Sequence, residues 1–300
     1  MTNDDTLRLG ITSSESSAYE LDPTTLPEFK LFADSCRQGL SVVYPFKARN
    51  FPDPFGWKFG KRWPPSYSAF GRMRSLLAVQ DAVRLKPDRV LEVAAGGGGL
   101  AASLAAAGCA VVVNDLLEEK TKEAIEEYST GESIEVIGGN LFALSPDQTG
   151  KFDLVIACEV IEHVAHPLEL LTHLREFLEP EGRILLTTPN GSHFRNRLPT
   201  FAEVDDFTEL ESRQFMPDAD GHLFLFTPQE LVALVGAAGM RIEQLNCWGS
   251  PMLSGHCGFR FIAAPVMVRA AYEVERFMQR LSAGTREHIC TALSAVLQRS

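Results

Sequence analysis

The sequence contains no Cys-x-x-Cys pair, and its six cysteines, Cys36, Cys109, Cys158, Cys247, Cys257 and Cys290, are scattered. That dispersion makes reduced thiols the default. No uninterrupted apolar run reaches the length needed to span a bilayer. The start, Met1 to Asp5, lacks the basic-then-apolar order of an export signal. These absences lead us to expect a cytoplasmic protein with reduced thiols and no membrane insertion. Positive charge is also scarce, with 28 Lys plus Arg against 39 Asp plus Glu and a net charge of -11. An acidic surface repels a phosphate backbone, which disfavours nucleic acid as a partner. The one candidate for a local basic patch is Lys58, Lys61, Arg62, Arg72 and Arg74.

What is present fits a folded chain long enough to bury a sizeable core, with 45% hydrophobic and 22% charged residues. Residues 1–74 read as a Ser/Thr-rich acidic tail followed by an aromatic-rich cover or lid. Pro45, Pro52, Pro54, Pro64 and Pro65 interrupt the aromatics from Tyr44 to Phe70 and forbid a long helix there. Residues 75–264 read as the main domain, with a substrate-side insertion near 190–226. Residues 265–300 read as a helical extension, two helices broken near Ala283-Gly284, that covers the core or forms a homo-oligomer contact.

Within the main domain, short apolar segments alternate with helical patterns. Candidate strands are Arg89–Val93, Ala110–Asp115, Ile134–Ile137, Phe152–Ala157 and Gly182–Thr188. Helices are expected over Leu100–Ala107, Leu117–Tyr128, Val160–Val164 and Pro167–Leu178. A further helix over Pro228–Ala238 has Thr227 as its N-cap and Gly239 as its stop. Segments near Arg241–Trp248 and Cys257–Ala263 complete the pattern as paired terminal strands. This alternation defines a doubly wound α/β fold with a mostly parallel sheet.

The first strand runs directly into Ala94-Ala95-Gly96-Gly97-Gly98-Gly99. Glycines permit a sharp turn and close backbone approach to a ligand, and the next helix offers free N–H groups. Asp115, ending the second strand, suits the hydroxyls of a ribose in either a nicotinamide or an adenosyl cofactor. Asn140, after the third strand, has the chemistry to pair with the edge of adenine or to stabilise a turn.

These segments resemble the motifs of the class I S-adenosylmethionine-dependent methyltransferases. Val90-Leu91-Glu92-Val93-Ala94-Ala95-Gly96-Gly97-Gly98 is similar to that family's first motif, and Asp115 stands at its usual acidic position. Phe152 to Val164 resembles the fourth-strand motif, and Leu178 to Asn190 the turn and fifth strand. The resemblance covers roughly residues 75–247, with the motifs in family order. It implies a seven-stranded sheet and S-adenosylmethionine as cofactor. By position, it implies Glu92, Gly96 and Cys158 at the methionyl end, Gly98 beneath the cofactor, Asp115 on the ribose, and Asn140 with Leu141 beside adenine. Ala94-Ala95 departs from the family, which often has glycine and another small residue there, and Asn140 replaces the commoner aspartate.

Glu159, Glu162 and His163 fall at spacings of three and four, which on a helix share a face. Two carboxylates and an imidazole there suit Mg²⁺ or another divalent cation, although imidazole favours ions other than Mg²⁺. The segment, with Asp220-Gly221-His222, is similar to metal-assisted methyltransferases of ubiquinone precursors and of small-RNA ribose 2′-hydroxyls. That resemblance implies Glu159, Glu162, His163 and, in the RNA type, His222 as ligands. Without metal, His163 or His222 is the candidate general base. The expected reaction is O-methylation of a small, oxygen-rich molecule such as a sugar or glycan, polyketide or phenolic metabolite. Its rivals are N- or C-methylation, RNA 2′-O-methylation and a non-catalytic cofactor-binding interaction protein.

Overall fold

The computed structural model describes residues 78–79, 81–96, 98–126, 134–214, 221–251, 274–275 and 277–300. The tail and aromatic cover, the basic patch, and the strand expected over Cys257–Ala263 lie outside them. The described strands are β1 Arg89–Val93, β2 Ala110–Asp115, β3 Glu135–Gly138, β4 Phe152–Cys158, β5 Leu178–Pro189, β6 Met240–Trp248 and β7 Ala292–Arg299. The main helices are α1 Gly99–Ala106, α2 Glu118–Glu126, α3 Pro167–Glu176, α4 Pro228–Ala237 and α5 Ala283–Ile289. No helix among the described residues is long and apolar enough to cross a membrane.

The strands form one sheet in the order β3-β2-β1-β4-β5-β7-β6. β1 pairs in parallel with β2 and β4, and β3 and β5 extend the parallel set outward. β7 runs antiparallel to both β5 and β6. Successive strand residues face opposite sides, so each strand feeds two cores. Leu91, Val93, Phe152, Val155 and Leu186 pack with α3 and α4 on one side. Val90, Val111, Val113, Leu154 and Ile156 pack with α1 on the other. Nearly continuous apolar strands are what a sheet covered on both faces requires.

The ends of α4 follow the sequence. Thr227 Oγ1 accepts from the Glu230 N–H at 3.2 Å, and Glu230 Oε2 accepts from the Thr227 N–H at 2.7 Å. Pro228 occupies the first turn, and Gly239, at φ +68°, terminates the element. A Cβ at Gly239 would meet only the movable end of the Arg175 side chain, so it is the left-handed backbone angle that favours glycine there.

The C-terminal region departs from expectation. The segment read as the second of two helices is β7, whose Leu293, Ala295 and Leu297 are buried in the sheet. β7 pairs antiparallel with β6 and lies between β5 and β6. Residues beyond 264 thus supply part of the sheet itself. Ala292-Leu293-Ser294-Ala295-Val296-Leu297 is apolar almost throughout, a pattern that a buried strand and a buried helix share. The true helix is the shorter α5, and the Asn190 amide donates to the carbonyls of Glu287 and Cys290, both at 2.7 Å. The last turn of α5 is thereby fixed to the end of β5.

Candidate active site

β1, β2, β4 and β5 all end at one edge of the sheet, and in open α/β folds ligands bind beyond such carboxyl ends. After β1 the chain turns through left-handed backbone at Ala94 (φ +51°), Gly96 (φ +55°) and Gly98 (φ +66°). The two glycines are needed for different reasons. A Cβ at Gly96 would meet nothing within 4 Å, whereas one at Gly98 would lie 2.3 Å from Ile125 Cγ1 of α2. Gly96 therefore borders open space, and Gly98 admits α2. Ala94 adopts an angle that L residues take at a cost, as expected where the family often has glycine.

Asp115 ties the turn to β2. Its Oδ2 accepts from the Gly96 N–H at 2.8 Å, and its Oδ1 accepts from the Leu117 N–H at 2.9 Å. A carboxylate has about four lone-pair positions, so both oxygens can take a further donor. Thr121 Oγ1 donates to the Gly96 carbonyl at 3.1 Å, holding the loop from α2. Leu116 and Leu117 are both substantially exposed immediately after Asp115. The sequence reading passed over them. Their signal is an apolar pair at the carboxyl end of a strand, where burial was available and is not used.

Asn140 caps a single 3₁₀ turn, Leu141–Ala143, its Oδ1 accepting from the Phe142 N–H at 3.0 Å. The turn role and an adenine contact through the amide nitrogen are compatible. Leu141 is buried in the core, and its carbonyl is bonded to His173 Nε2 at 2.9 Å. Asn114, also not singled out beforehand, donates to the carbonyls of Ile137 and Gly139 at 3.0 and 3.2 Å and positions the end of β3 beside β2.

Glu92 is the exception in β1, a carboxyl only 5% exposed among apolar neighbours. Its Oε2 has no hydrogen-bond partner among the described residues. Burial pushes its pKa up to about 8; the Ala101 N–H pulls the other way, and the negative Asp115 adds to the rise. An orphaned buried acid beside an open glycine turn is the complement of a cationic ligand group. The donor set therefore fits a cofactor with a ribose diol and an ammonium, as S-adenosylmethionine has.

At the end of β4, Cys158 is half-buried and Glu159 takes a left-handed backbone conformation, φ +56°. The helix expected over Val160–Val164 is a single 3₁₀ turn, Ile161–His163. Glu159 precedes that turn, so helical spacing does not govern where it lies. Its Oε1 accepts from Thr187 Oγ1 at 2.9 Å. Glu162, His163 and His222 do come together, with one ligating atom from each lying within 4.8 Å of the others. Glu159, the fourth residue expected there, is not among these three.

The cluster is assembled by long-range bonds. The Leu223 N–H donates to the Glu162 carbonyl at 2.9 Å, bringing the His222 segment onto the turn. The Asn190–Phe226 and Thr200–Leu225 bridges hold that segment on its far side. Phe224 and Phe226 anchor it in the core, and each fully buried phenyl contributes about 1.5–3 kcal/mol. Fully buried Glu162 accepts from Thr188 Oγ1 through Oε2 at 3.0 Å, while Oε1 stands 3.9 Å from His222 Nε2. His163 Nδ1 lies 3.2 Å from the Gly221 carbonyl. That oxygen only accepts, so Nδ1 is the donor, and a neutral ring in this tautomer has its lone pair on Nε2. The His163 and His222 rings meet edge to face, with centroids 5.0 Å apart. Thr187 and Thr188 were missed as individual residues; consecutive strand positions face opposite ways, and each hydroxyl reaches a different glutamate.

Comparison with known proteins agrees with this architecture. Residues 67–245 match the family described as methyltransferase domain, and the chain belongs to that family. It is an S-adenosylmethionine-dependent methyltransferase. A ubiquinone biosynthesis O-methyltransferase from Xanthomonas axonopodis pv. citri is 30% identical over 55% of this chain and 68% of its own length. One bearing the same name from Azotobacter vinelandii is 29% identical over 37% of this chain and 49% of that protein. Among solved structures, the CcbJ methyltransferase from Streptomyces caelestis covers 74% of this chain and 88% of its own, at 16% identity and a TM-score of 0.49.

Proposed function

We propose that the protein transfers the cofactor's methyl group to a hydroxyl oxygen of a small, oxygen-rich acceptor such as a sugar, polyketide or phenol. The observation that carries this reading is the Glu162–His163–His222 cluster beyond β4, on the edge of the sheet where the cofactor turn also lies. The ubiquinone biosynthesis relatives, named as O-methyltransferases, support an oxygen nucleophile. In this reading Asp115 takes the ribose hydroxyls, and Leu116 and Leu117 flank the adenine with the Asn140 amide. Glu92, Gly96 and Cys158 surround the methionyl end.

A sulfonium methyl is already electrophilic, so the protein's tasks are to align the acceptor oxygen and remove its proton. His163 Nε2 is the atom that accepts that proton in this reading, with Nδ1 turned to the Gly221 carbonyl. Thr188 holds Glu162, whose Oε1 lies 3.9 Å from His222 Nε2 opposite. One carboxylate with two imidazoles also fits a divalent transition ion better than Mg²⁺, held by Glu162, His163 and His222. Such an ion, when bound, polarises an acceptor oxygen as a Lewis acid. The products are a methyl ether and S-adenosylhomocysteine.

The test is S-adenosylhomocysteine formation with catechol, sugar and polyketide acceptors, before and after chelation and with Mn²⁺, Zn²⁺ or Mg²⁺ restored. Loss on chelation with recovery on adding metal supports the ion-assisted form. Turnover that survives chelation but is lost in His163→Ala assigns proton removal to the imidazole. Methylation of amines or carbon acids with no oxygen acceptor turned over overturns O-methylation.

A further inference from the structure

Glu92 has a position that alignment and proton removal do not explain. A carboxyl group taken out of water favours its neutral form unless an opposite charge or several donors replace the lost solvation. Here one backbone N–H, from Ala101 on α1, favours the charged form. The other carboxyl oxygen has no partner among the described residues. On β2, Glu92 pairs with Val113, and the charged group nearby is Asp115, which opposes a second negative charge. On β4 it pairs with Ile156, with the thiol Cys158 two residues further on. α1, of sequence Gly-Leu-Ala-Ala-Ser-Leu-Ala-Ala, carries no charged side chain at all. Among the described residues, no cation is positioned to keep this acid ionised.

We propose that Glu92 is an uncharged acid in the free protein and gives up its proton when the cofactor binds, so that cofactor capture releases a proton. The ammonium of the cofactor's methionyl end is a cation that the described residues do not supply. Its arrival beside the orphaned oxygen replaces the missing counter-charge and favours the carboxylate. The balance is simple: the Glu92 O–H bond breaks, the proton passes to solvent, and the carboxylate pairs with the ammonium. S-adenosylhomocysteine carries the same ammonium and obeys the same linkage. Burial places the free group's ionisation at about 8, so release is nearly complete per site at pH 6.5–7 and fades above pH 8. Affinity then rises with pH, by up to about tenfold per unit, until the free acid has itself ionised.

The measurement is isothermal titration of the whole protein with S-adenosylhomocysteine between pH 6 and 8. Each pH is run in two buffers of different ionisation enthalpy, so that the difference in heat counts protons. The expected result is release of close to one proton per site at pH 6.5, declining towards pH 8, with Glu92→Gln binding more weakly and releasing none. Binding with no proton exchange across that range overturns the proposal while leaving the cofactor assignment intact. Equal release by wild type and Glu92→Gln overturns it too, since another group would then be the source. A structural role for Glu92 alone would weaken binding in the variant without changing the wild-type proton count.

Discussion

The two halves of the proposed site are built from different materials. The cofactor half is largely backbone: left-handed residues at 94, 96 and 98, with an aspartate whose oxygens take the Gly96 and Leu117 N–H groups. It lies within a short stretch of chain, between the end of β1 and the start of α2. The acceptor half is made of side chains, and it exists only because the Leu223 N–H, the Gly221 carbonyl and Thr188 join distant segments. A backbone site tolerates few sequences but needs little support. A side-chain site can vary its chemistry but depends on every bond that aims it.

That contrast can be tested by separating binding from turnover. The largest effect is expected from His163→Ala, which should lower kcat by about 10²–10⁴-fold while leaving S-adenosylhomocysteine affinity within twofold. Unchanged kcat with the preferred acceptor would remove His163 from the reaction. Next comes Glu92→Gln in the free protein. The wild-type group ionises near pH 8 when folded and near 4.5 when unfolded. Between those values the unfolded chain has lost the proton that the folded chain retains, so wild-type stability falls as pH rises through this window. At about 1.4 kcal/mol per pKa unit, the variant should gain a few kcal/mol over wild type by pH 8.5 and little at pH 4.5. Tm measured across that range checks it, and a pH-independent difference would contradict a buried neutral acid.

Asp115→Asn should follow, weakening cofactor affinity by about 10- to 100-fold, or roughly 1.4–2.8 kcal/mol, with kcat at saturating cofactor nearly unchanged. If kcat fell as much as affinity, the division between the two halves would fail. Thr188→Val should cost about 1–2 kcal/mol of stability, because a fully buried carboxylate loses its 3.0 Å donor. It should also lower kcat with little change in cofactor affinity, and Thr188→Ser should restore both. Smallest of all, Ala94→Gly relieves a left-handed alanine at the expense of a more flexible unfolded chain, leaving a net gain under about 1 kcal/mol in denaturant unfolding.

The same contrast explains how much was legible in the sequence. Gly96, Gly98 and Asp115 announce themselves because local geometry dictates their types, and the parallel strands are short apolar runs between helices. The Thr227 cap is likewise local. Glu159 was grouped with Glu162 on the assumption of a helix, but its left-handed backbone ends β4 before the turn begins. Thr188, on β5, contributes through a bond to Glu162 in the loop after the neighbouring β4, which spacing along the chain does not encode. β7 was mistaken for helix because an unbroken apolar run has no period to distinguish the two, and only its neighbours β5 and β6 decide.

β7 has a consequence for how the molecule is made. β6 leaves the ribosome before β7 yet has no place beside β5 until β7 is inserted between them. While translation continues, β5 and β6 each present an open edge with unpaired amide and carbonyl groups, the kind of surface that recruits strands from other chains. The half of the sheet that carries the glycine turn can assemble on the nascent chain. The half beneath the histidine cluster must wait, and aggregation during synthesis should begin at that edge.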